Sequence, residues 1–201
     1  MAVAVVLTER KDDLTASRAR NYERLRERVA IASGDTVDVA HYEDLDPVRL
    51  PHASSVVLSG SSAPWSAHDP ATLELLGEAI RSAGRPVLGI CAGMQLQAMF
   101  AGGTIAPAPM GEHGYLPITV HDRRDLLREL PLEAVFFQDH DDEVRVLPAG
   151  FRVLASSPAC AVQAFADPSR RWWGTQFHPE EFRPDDPAGE QVLRTFFALA
   201  A

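Results

Sequence analysis

The stretch Gly89-Ile90-Cys91-Ala92-Gly93-Met94-Gln95 follows a short apolar run, Val87-Leu88, and precedes an apolar helical segment that ends at Gly102-Gly103. A Gly-x-Cys-x-Gly between a buried strand and a helix is the thiol form of a nucleophile elbow, a tight strained turn that lifts one side chain clear of a sheet. It requires a strand that feeds directly into a helix, and it makes Cys91 the first candidate for covalent chemistry. Gly89 and Gly93 remove side chains where the two backbones crowd the turn, and Gly93 leaves room for a substrate. A buried cysteine is also common and inert. The elbow alone therefore leaves a structural and a catalytic reading of Cys91 open.

The rest of the chain supplies a fold for this turn. Val3-Ala4-Val5-Val6-Leu7 reads as a buried strand, and between Asp12 and Ala32 the residues Ala19, Tyr22, Leu25, Val29 and Ala32 recur at helical spacing, with Gly34 as the stop. Thr36 to Ala40 and Ser54 to Ser59 read as further strands. Asp69-Pro70 opens a second helix as N-cap and first-turn proline, Leu73, Leu76, Ile80 and Ala83 form its buried face, and Gly84 closes it. Strands alternating with helices predict an α/β, flavodoxin-like open sheet, mostly parallel, with helices on both faces and ligands beyond the carboxyl ends of the strands. Gly60 and Cys91 both fall at such ends. From Gly103 to Thr175 shorter strands take over: Tyr115 to Val120, Ala134 to Gln138, Phe151 to Ser156, Ala161 to Phe165 and Trp172 to Gln176. They predict a mixed or antiparallel β extension in the second half, and Asp186 to Leu199 a closing helix. Trp172 and Trp173, adjacent in a strand, point to opposite faces.

With 201 residues the chain fits one domain, 1–201, large enough to bury a core without staples. Its two cysteines, Cys91 and Cys160, are far apart and form no Cys-x-x-Cys, which indicates neither a disulfide framework nor a zinc site. Cys160 reads as a small strand residue. The seven histidines show no metal-ligand spacing, so no metal site is expected, and His41, His52, His68, His113 and His121 have no partner visible in sequence. A net charge of -9, without a basic stripe, argues against nucleic acid as a partner. No apolar run reaches the ~20 residues of a membrane span, and the start has no signal-peptide pattern, which together predict no membrane and a cytoplasmic location. A reducing compartment suits a free thiol.

Beyond the strand of Trp172 and Trp173 lies Gly174-Thr175-Gln176-Phe177-His178-Pro179-Glu180. This block, together with the elbow, resembles the two signature blocks of class I glutamine amidotransferases, whose triad is cysteine, histidine and glutamate. The resemblance assigns that triad to Cys91, His178 and Glu180. It covers most of the chain and is weakest before Ser54. Gly102-Gly103, Glu112-His113-Gly114 and His140-Asp141-Asp142-Glu143-Val144 resemble elements of GMP-synthetase-type amidotransferase domains, which makes Asp141 and Asp142 candidates for the amino and carboxylate ends of glutamine; the residues alone also fit a solvated acidic turn. Gln95 is implied to help seat the substrate. One block departs from the pattern. Where many members carry Ser-Gly-Gly-Pro, this chain has Ser59-Gly60-Ser61-Ser62-Ala63-Pro64, and the first strand lacks the common Asp-Ser-Phe type of start.

These residue types suit amide cleavage. An amide carbonyl is a poor electrophile and ammonia a poor leaving group, so the reaction needs a thiolate, donors for the oxyanion and an acid for the departing nitrogen. Cys91 supplies the first and His178 the last, with Glu180 fixing its tautomer. The Ala92 N–H, with that of Gly60 or Ser61, would form the oxyanion hole, on the order of 3 kcal/mol per donor. No cofactor is called for. The resemblance implies hydrolysis of L-glutamine to glutamate and ammonia through a cysteine thioester, the ammonia passing to a separate synthetase or synthase subunit, since no acceptor domain fits after Ala201. Two other readings stand beside it: a stand-alone γ-glutamyl hydrolase or transferase acting on a small γ-glutamyl amide, and a non-catalytic regulatory subunit of the same fold, which the altered Gly60 to Pro64 loop allows.

Overall fold

A computed structural model of the chain describes residues 2–46 and 50–201. Five strands build the parallel half of the sheet: β1 (Val3–Leu7), β2 (Val37–His41), β3 (Val56–Leu58), β4 (Val87–Ile90) and β9 (Trp172–Thr175). The other half is antiparallel: β5 (Thr104–Val120), β6 (Glu133–Val146), β7 (Arg152–Ser156) and β8 (Ala164–Asp167). Together they form one nine-stranded sheet in the order β2-β1-β3-β4-β9-β8-β7-β5-β6. The expected flavodoxin-like α/β architecture with an antiparallel extension is therefore present; the strand of Trp172, read from sequence as part of the extension, is instead the fifth parallel strand, beside β4, and carries the antiparallel β8 on its other edge.

Helix α1 (Ala16–Ser33) starts later than the periodicity predicts, because the Thr15 hydroxyl caps it by accepting from the Arg18 N–H at 3.3 Å. Lys11–Asp13 form a short 3-10 turn instead. Its stop is Gly34 at φ 71°, a left-handed position that glycine adopts without penalty. Helix α2 (Pro70–Ala83) opens on the Asp69 cap and closes on Gly84, as its sequence indicates. Helix α3 (Ala92–Phe100) follows β4 directly, and α4 (Ala188–Ala200) is the last element.

Two apolar layers cover the sheet. Val5, Leu25, Val29, Leu88, Ile90, Trp173 and Phe196 belong to the core under α1 and α4. Val6, Leu58, Leu76, Ile80, Leu96 and Trp172 belong to the core under α2 and α3. The adjacent tryptophans thus pack into opposite faces, as the alternation requires. Among the described residues no helix is long and apolar enough to cross a membrane.

The second half departs from expectation in extent. β5 and β6 run well beyond Tyr115 to Val120 and Ala134 to Gln138, pairing from Thr104↔Val146 to Thr119↔Glu133. Prolines and glycines between Pro107 and Glu112 break the alternation that marks a strand, and there the ladder shifts register. Asp139 to Glu143 are accordingly strand residues with alternating exposure, and the acidic-turn alternative does not hold.

The elbow glycines have steric causes. A Cβ on Gly93 would lie 2.4 Å from the Leu58 carbonyl oxygen, and one on Gly89 would lie 2.6 Å from the Gly93 backbone. The room at Gly93 is therefore taken by β3, and a substrate does not occupy it. Gly93→Ala should lower unfolding free energy by about 2–3 kcal/mol in urea titration, the range for forcing a methyl into a packed backbone contact. A midpoint equal to the parent's would refute this packing.

Candidate functional site

Cys91 sits between β4 and α3 with φ 51° and ψ -109°, in a region that side chains rarely enter. Such a backbone stores roughly 1–3 kcal/mol and persists only where neighbours over-determine it. Here its N–H donates to the Thr175 carbonyl at 2.7 Å, and its own carbonyl accepts from the Gln95 N–H at 3.0 Å. The register Ile90↔Thr175 places β9 to make the first of these contacts. The residue is only 4% exposed.

His178 reaches the thiol from the end of β9. Phe177 anchors that segment, fully buried and stacked on Phe136 with ring centroids 3.9 Å apart. The His178 N–H then donates to the Phe137 carbonyl at 2.9 Å. Nδ1 lies 2.9 Å from Glu180 Oε1, which gives the Nδ1–H tautomer a carboxylate acceptor. Burial works against protonation of this ring, but the Glu180 charge and hydrogen bonds to Cys91 and Glu180 prevail and hold its pKa well above the ordinary imidazole range. The three residues singled out by sequence are thus brought together, in the relation of thiol, imidazole and carboxylate.

Among the described residues three N–H groups of the elbow and the Gly60-Ser61 loop have no protein acceptor. Ala92 is the first residue of α3, whose N–H has no intrahelical partner. Among the described residues the N–H groups of Gly60 and Ser61 likewise find no acceptor. Gly60 touches the group directly: a Cβ there would lie 3.0 Å from His178 Cε1 and 3.6 Å from the Cys91 Cβ.

Gln95 is 3% exposed and nearly saturated. Its Nε2 donates to the Asp142 carbonyl at 2.9 Å and to Gln176 Oε1 at 3.0 Å, and its Oε1 accepts from Trp65 Nε1 at 3.0 Å. One lone pair of Oε1 remains. Asp142 therefore joins the cluster through its backbone. The Asp141 carboxylate is 84% exposed and lies 3.3 Å from His113 Nε2, on the outer side of β6. His113, unassigned in sequence, is held between Asp139 and Asp141, and the Asp139 hydrogen bond leads in raising its pKa.

Sequence reading missed several residues of the site. Gln176 Nε2 reaches Cys91 Sγ at 3.5 Å. Its strand phase could have revealed it, since alternate residues of an extended segment share a face and His178 is the next one along. Trp65, Glu9 and Tyr22 carry no local signal. A cavity of about 240 Å³ opens beside His178 and Gly60, lined also by Glu9, Arg18, Asn21, Tyr22 and Asp139.

One further cluster lies behind β6. The ligand atoms of Glu112, His140 and Cys160 fall within 4.8 Å of one another, so these residues have the chemistry to hold a metal ion. Protein groups also partner them: Gln163 Nε2 donates to Glu112 at 2.7 Å, His140 Nδ1 lies 3.1 Å from the Asp142 carbonyl, and the Cys160 thiol donates to Val162 at 3.5 Å. His140 Nε2 is 3.2 Å from Glu112 Oε2 but out of line for a hydrogen bond. Burial pushes the Cys160 thiol up to about 12.

The chain is similar to known proteins. A sequence profile of the family described as Glutamine amidotransferase class-I matches residues 14–200. The glutamine-hydrolysing GMP synthase of Parafrankia sp. (strain EAN1pec) is 37% identical over 167 residues, 80% of this chain and 30% of that protein. Its counterpart from Geobacillus kaustophilus is 39% identical over 146 residues, 69% of this chain and 28% of the relative. The chain therefore spans under a third of the length of these relatives. Among solved structures, a Thermoplasma acidophilum protein described as a GMP synthase subunit superposes with a TM-score of 0.81 at 28% identity, over 98% of this chain and 94% of its own. The profile covers most of the chain, the identity to these glutamine-hydrolysing enzymes is well above 30%, and the chain belongs to the class I glutamine amidotransferases.

Proposed function

We propose that this enzyme hydrolyses L-glutamine to glutamate and ammonia through a γ-glutamyl thioester on Cys91. The observation that carries the reading is the placement of the Cys91 thiol, on its strained backbone, beside an imidazole that is itself hydrogen-bonded to Glu180. His178 takes the thiol proton and the sulfur bonds to the amide carbon. Negative charge moves onto the carbonyl oxygen, which the N–H groups of Ala92 and of Gly60 or Ser61 receive. The C–N bond then breaks, and His178 returns its proton to the nitrogen, which leaves as ammonia. Water gives a proton to His178 as it attacks the thioester carbon, the C–S bond breaks with its electron pair going to sulfur, His178 returns the proton to that sulfur, and glutamate departs. Gln95, held by the Asp142 carbonyl and Gln176, keeps one Oε1 lone pair for the amino-acid end of the substrate, while the Asp141 carboxylate is turned away toward His113.

Ammonia freed into neutral water is largely protonated and no longer nucleophilic, so the product passes to a separate synthetase or synthase chain. Support comes from the Thermoplasma protein, which is described as one subunit of a GMP synthase and is matched over nearly its whole length. The free thiols fit a reducing cytoplasm. Purified chain should release glutamate from glutamine slowly, and a GMP-synthetase-type partner should raise that rate several-fold. No glutamate and no thioester in either arm would overturn the proposal.

The cavity beside His178 favours a second reading. It has room for a leaving group larger than ammonia, as a γ-glutamyl amide of a small amine would present. Such an enzyme would turn over γ-glutamyl amines faster than glutamine and without any partner, and the same assay with both substrates separates the two.

A further inference from the structure

The loop that departs from the Ser-Gly-Gly-Pro pattern is tied to the strand end that departs from the usual start. Glu9, just beyond β1, is 1% exposed. Its Oε1 accepts from Ser61 Oγ at 2.9 Å and the Ala63 N–H at 3.3 Å; Oε2 accepts from the Ser62 N–H at 3.0 Å and Ser62 Oγ at 2.8 Å. Arg18 adds its guanidinium at 3.5 Å. Ser61, Ser62 and Ala63, the three residues between Gly60 and Pro64, are all bonded to this one carboxylate.

Gly60 is fixed from the other side. Its carbonyl accepts from Ser59 Oγ at 2.9 Å and Tyr22 OH at 3.2 Å, while Thr8 Oγ1 donates to the Ser59 carbonyl at 2.8 Å. Burial and the nearby Glu9 charge raise the Tyr22 phenol far above its ordinary range, which keeps it a donor. The peptides are trans and planar, so carbonyls held in this way turn the Gly60 and Ser61 N–H groups to the opposite side. Among the described residues neither of these two N–H groups has a protein acceptor, and Gly60 itself borders Cys91 and His178.

A buried ionised carboxylate is expensive unless every lone pair is engaged. An apolar side chain would serve packing at least as well, so the arrangement is better explained by the loop conformation it specifies. Burial opposes ionisation of Glu9, yet the Ser62 and Ser61 hydrogen bonds and Arg18 prevail and lower its pKa, so it stays charged at neutral pH.

We propose that Glu9 is a positioning residue for the oxyanion hole: its carboxylate holds Ser61, Ser62 and Ala63 so that the Gly60 and Ser61 N–H groups stay aimed at the reacting carbonyl. This rests on the thioester reading above. Glu9 is what fixes the conformation of a loop that here carries serines between Gly60 and Pro64.

The test compares two reactions at one sulfur. Acylation by glutamine develops an oxyanion; alkylation by iodoacetamide displaces iodide from a saturated carbon and develops none. Losing one oxyanion donor lowers rate by about 10²–10³-fold, and a misaimed loop should forfeit part of that. In Glu9→Gln, the single-turnover rate of thioester formation should fall about 10- to 100-fold, with KM little changed. Alkylation of Cys91, mapped by peptide mass, should stay within about twofold of the parent. Equal losses in both reactions, or no loss of acylation, would overturn the proposal. If Glu9→Gln does not fold, the double variant Ser61→Ala/Ser62→Ala removes two donors to the same carboxylate and should show the same selectivity; unchanged acylation there would equally sink it. A parent enzyme that forms no thioester removes the functional reading itself, and this proposal with it.

Discussion

Cys91→Ser should fold like the parent and lose glutamate release by more than about 10³-fold, within the range for removing a nucleophile while binding and oxyanion donors remain. The substitution is nearly isosteric at a site that is 4% exposed, and serine meets the same φ of 51°, so the strained turn is preserved and thermal unfolding should move little. What is lost is the sulfur. Its contacts with Gln176 Nε2 at 3.5 Å and the Asp139 carbonyl at 3.9 Å suit a large polarisable atom, and a hydroxyl oxygen sits too close to Cβ to reach both. Two readouts decide the matter: steady-state glutamate release, and the mass shift with a glutamine-analogue electrophile. The adduct should appear on Cys91 in the parent and on no residue in the variant. Turnover within tenfold of the parent would place the nucleophile elsewhere. Cys160 is a poor substitute, buried and with its thiol pushed up to about 12.

The parts of this site that could be read from sequence are those whose geometry is local. The elbow is a run of contiguous residues whose glycines answer to backbone contacts, and Gly89 and Gly93 prove to crowd each other and Leu58. His178 and Glu180 are two residues apart on one short turn, so a recognised block delivers their contact with it. The helix limits of α2 follow from Asp69, Pro70 and Gly84 for the same reason.

What escapes a sequence reading are contacts made by register. Glu9 meets Ser61 and Ser62 only because β1 lies beside β3 with Val6 opposite Leu58, and neither segment announces the pairing. Trp65, at the start of the 3-10 turn Trp65–Ala67, reaches across to Gln95 in α3. Asp141 resembles a substrate ligand in its sequence block, but the alternation of β6 turns its side chain out toward His113, and the backbone of Asp142 is what meets Gln95. The length of β5 is hidden by Pro107, Pro109 and Gly111, which interrupt the pattern of a strand without ending its pairing.

His178→Ala and Glu180→Gln should separate a proton carrier from the group that orients it. His178→Ala removes both the base for the thiol and the acid for ammonia, and kcat should fall by about 10³–10⁴-fold or more. Glu180→Gln keeps the ring but replaces its acceptor by an amide that can also present a donor to Nδ1, which favours the tautomer with its proton on Nε2, facing the thiol. Part of the population then carries the wrong tautomer, and kcat should fall by about 10- to 100-fold. Among the described residues the second, buried Glu180 oxygen has no hydrogen-bond partner, so the amide gains no new anchor in exchange. The pH profile supplies an independent sign. The Glu180 charge helps to raise the His178 pKa against burial, and removing that charge must lower it. Departing ammonia needs the imidazolium proton, so the alkaline limb of kcat should move to lower pH in Glu180→Gln. The double variant should be no worse than His178→Ala, since Glu180 acts only through the ring. Glu180→Gln as inactive as His178→Ala, with an unmoved alkaline limb, would instead mean that Glu180 touches the reacting atoms itself.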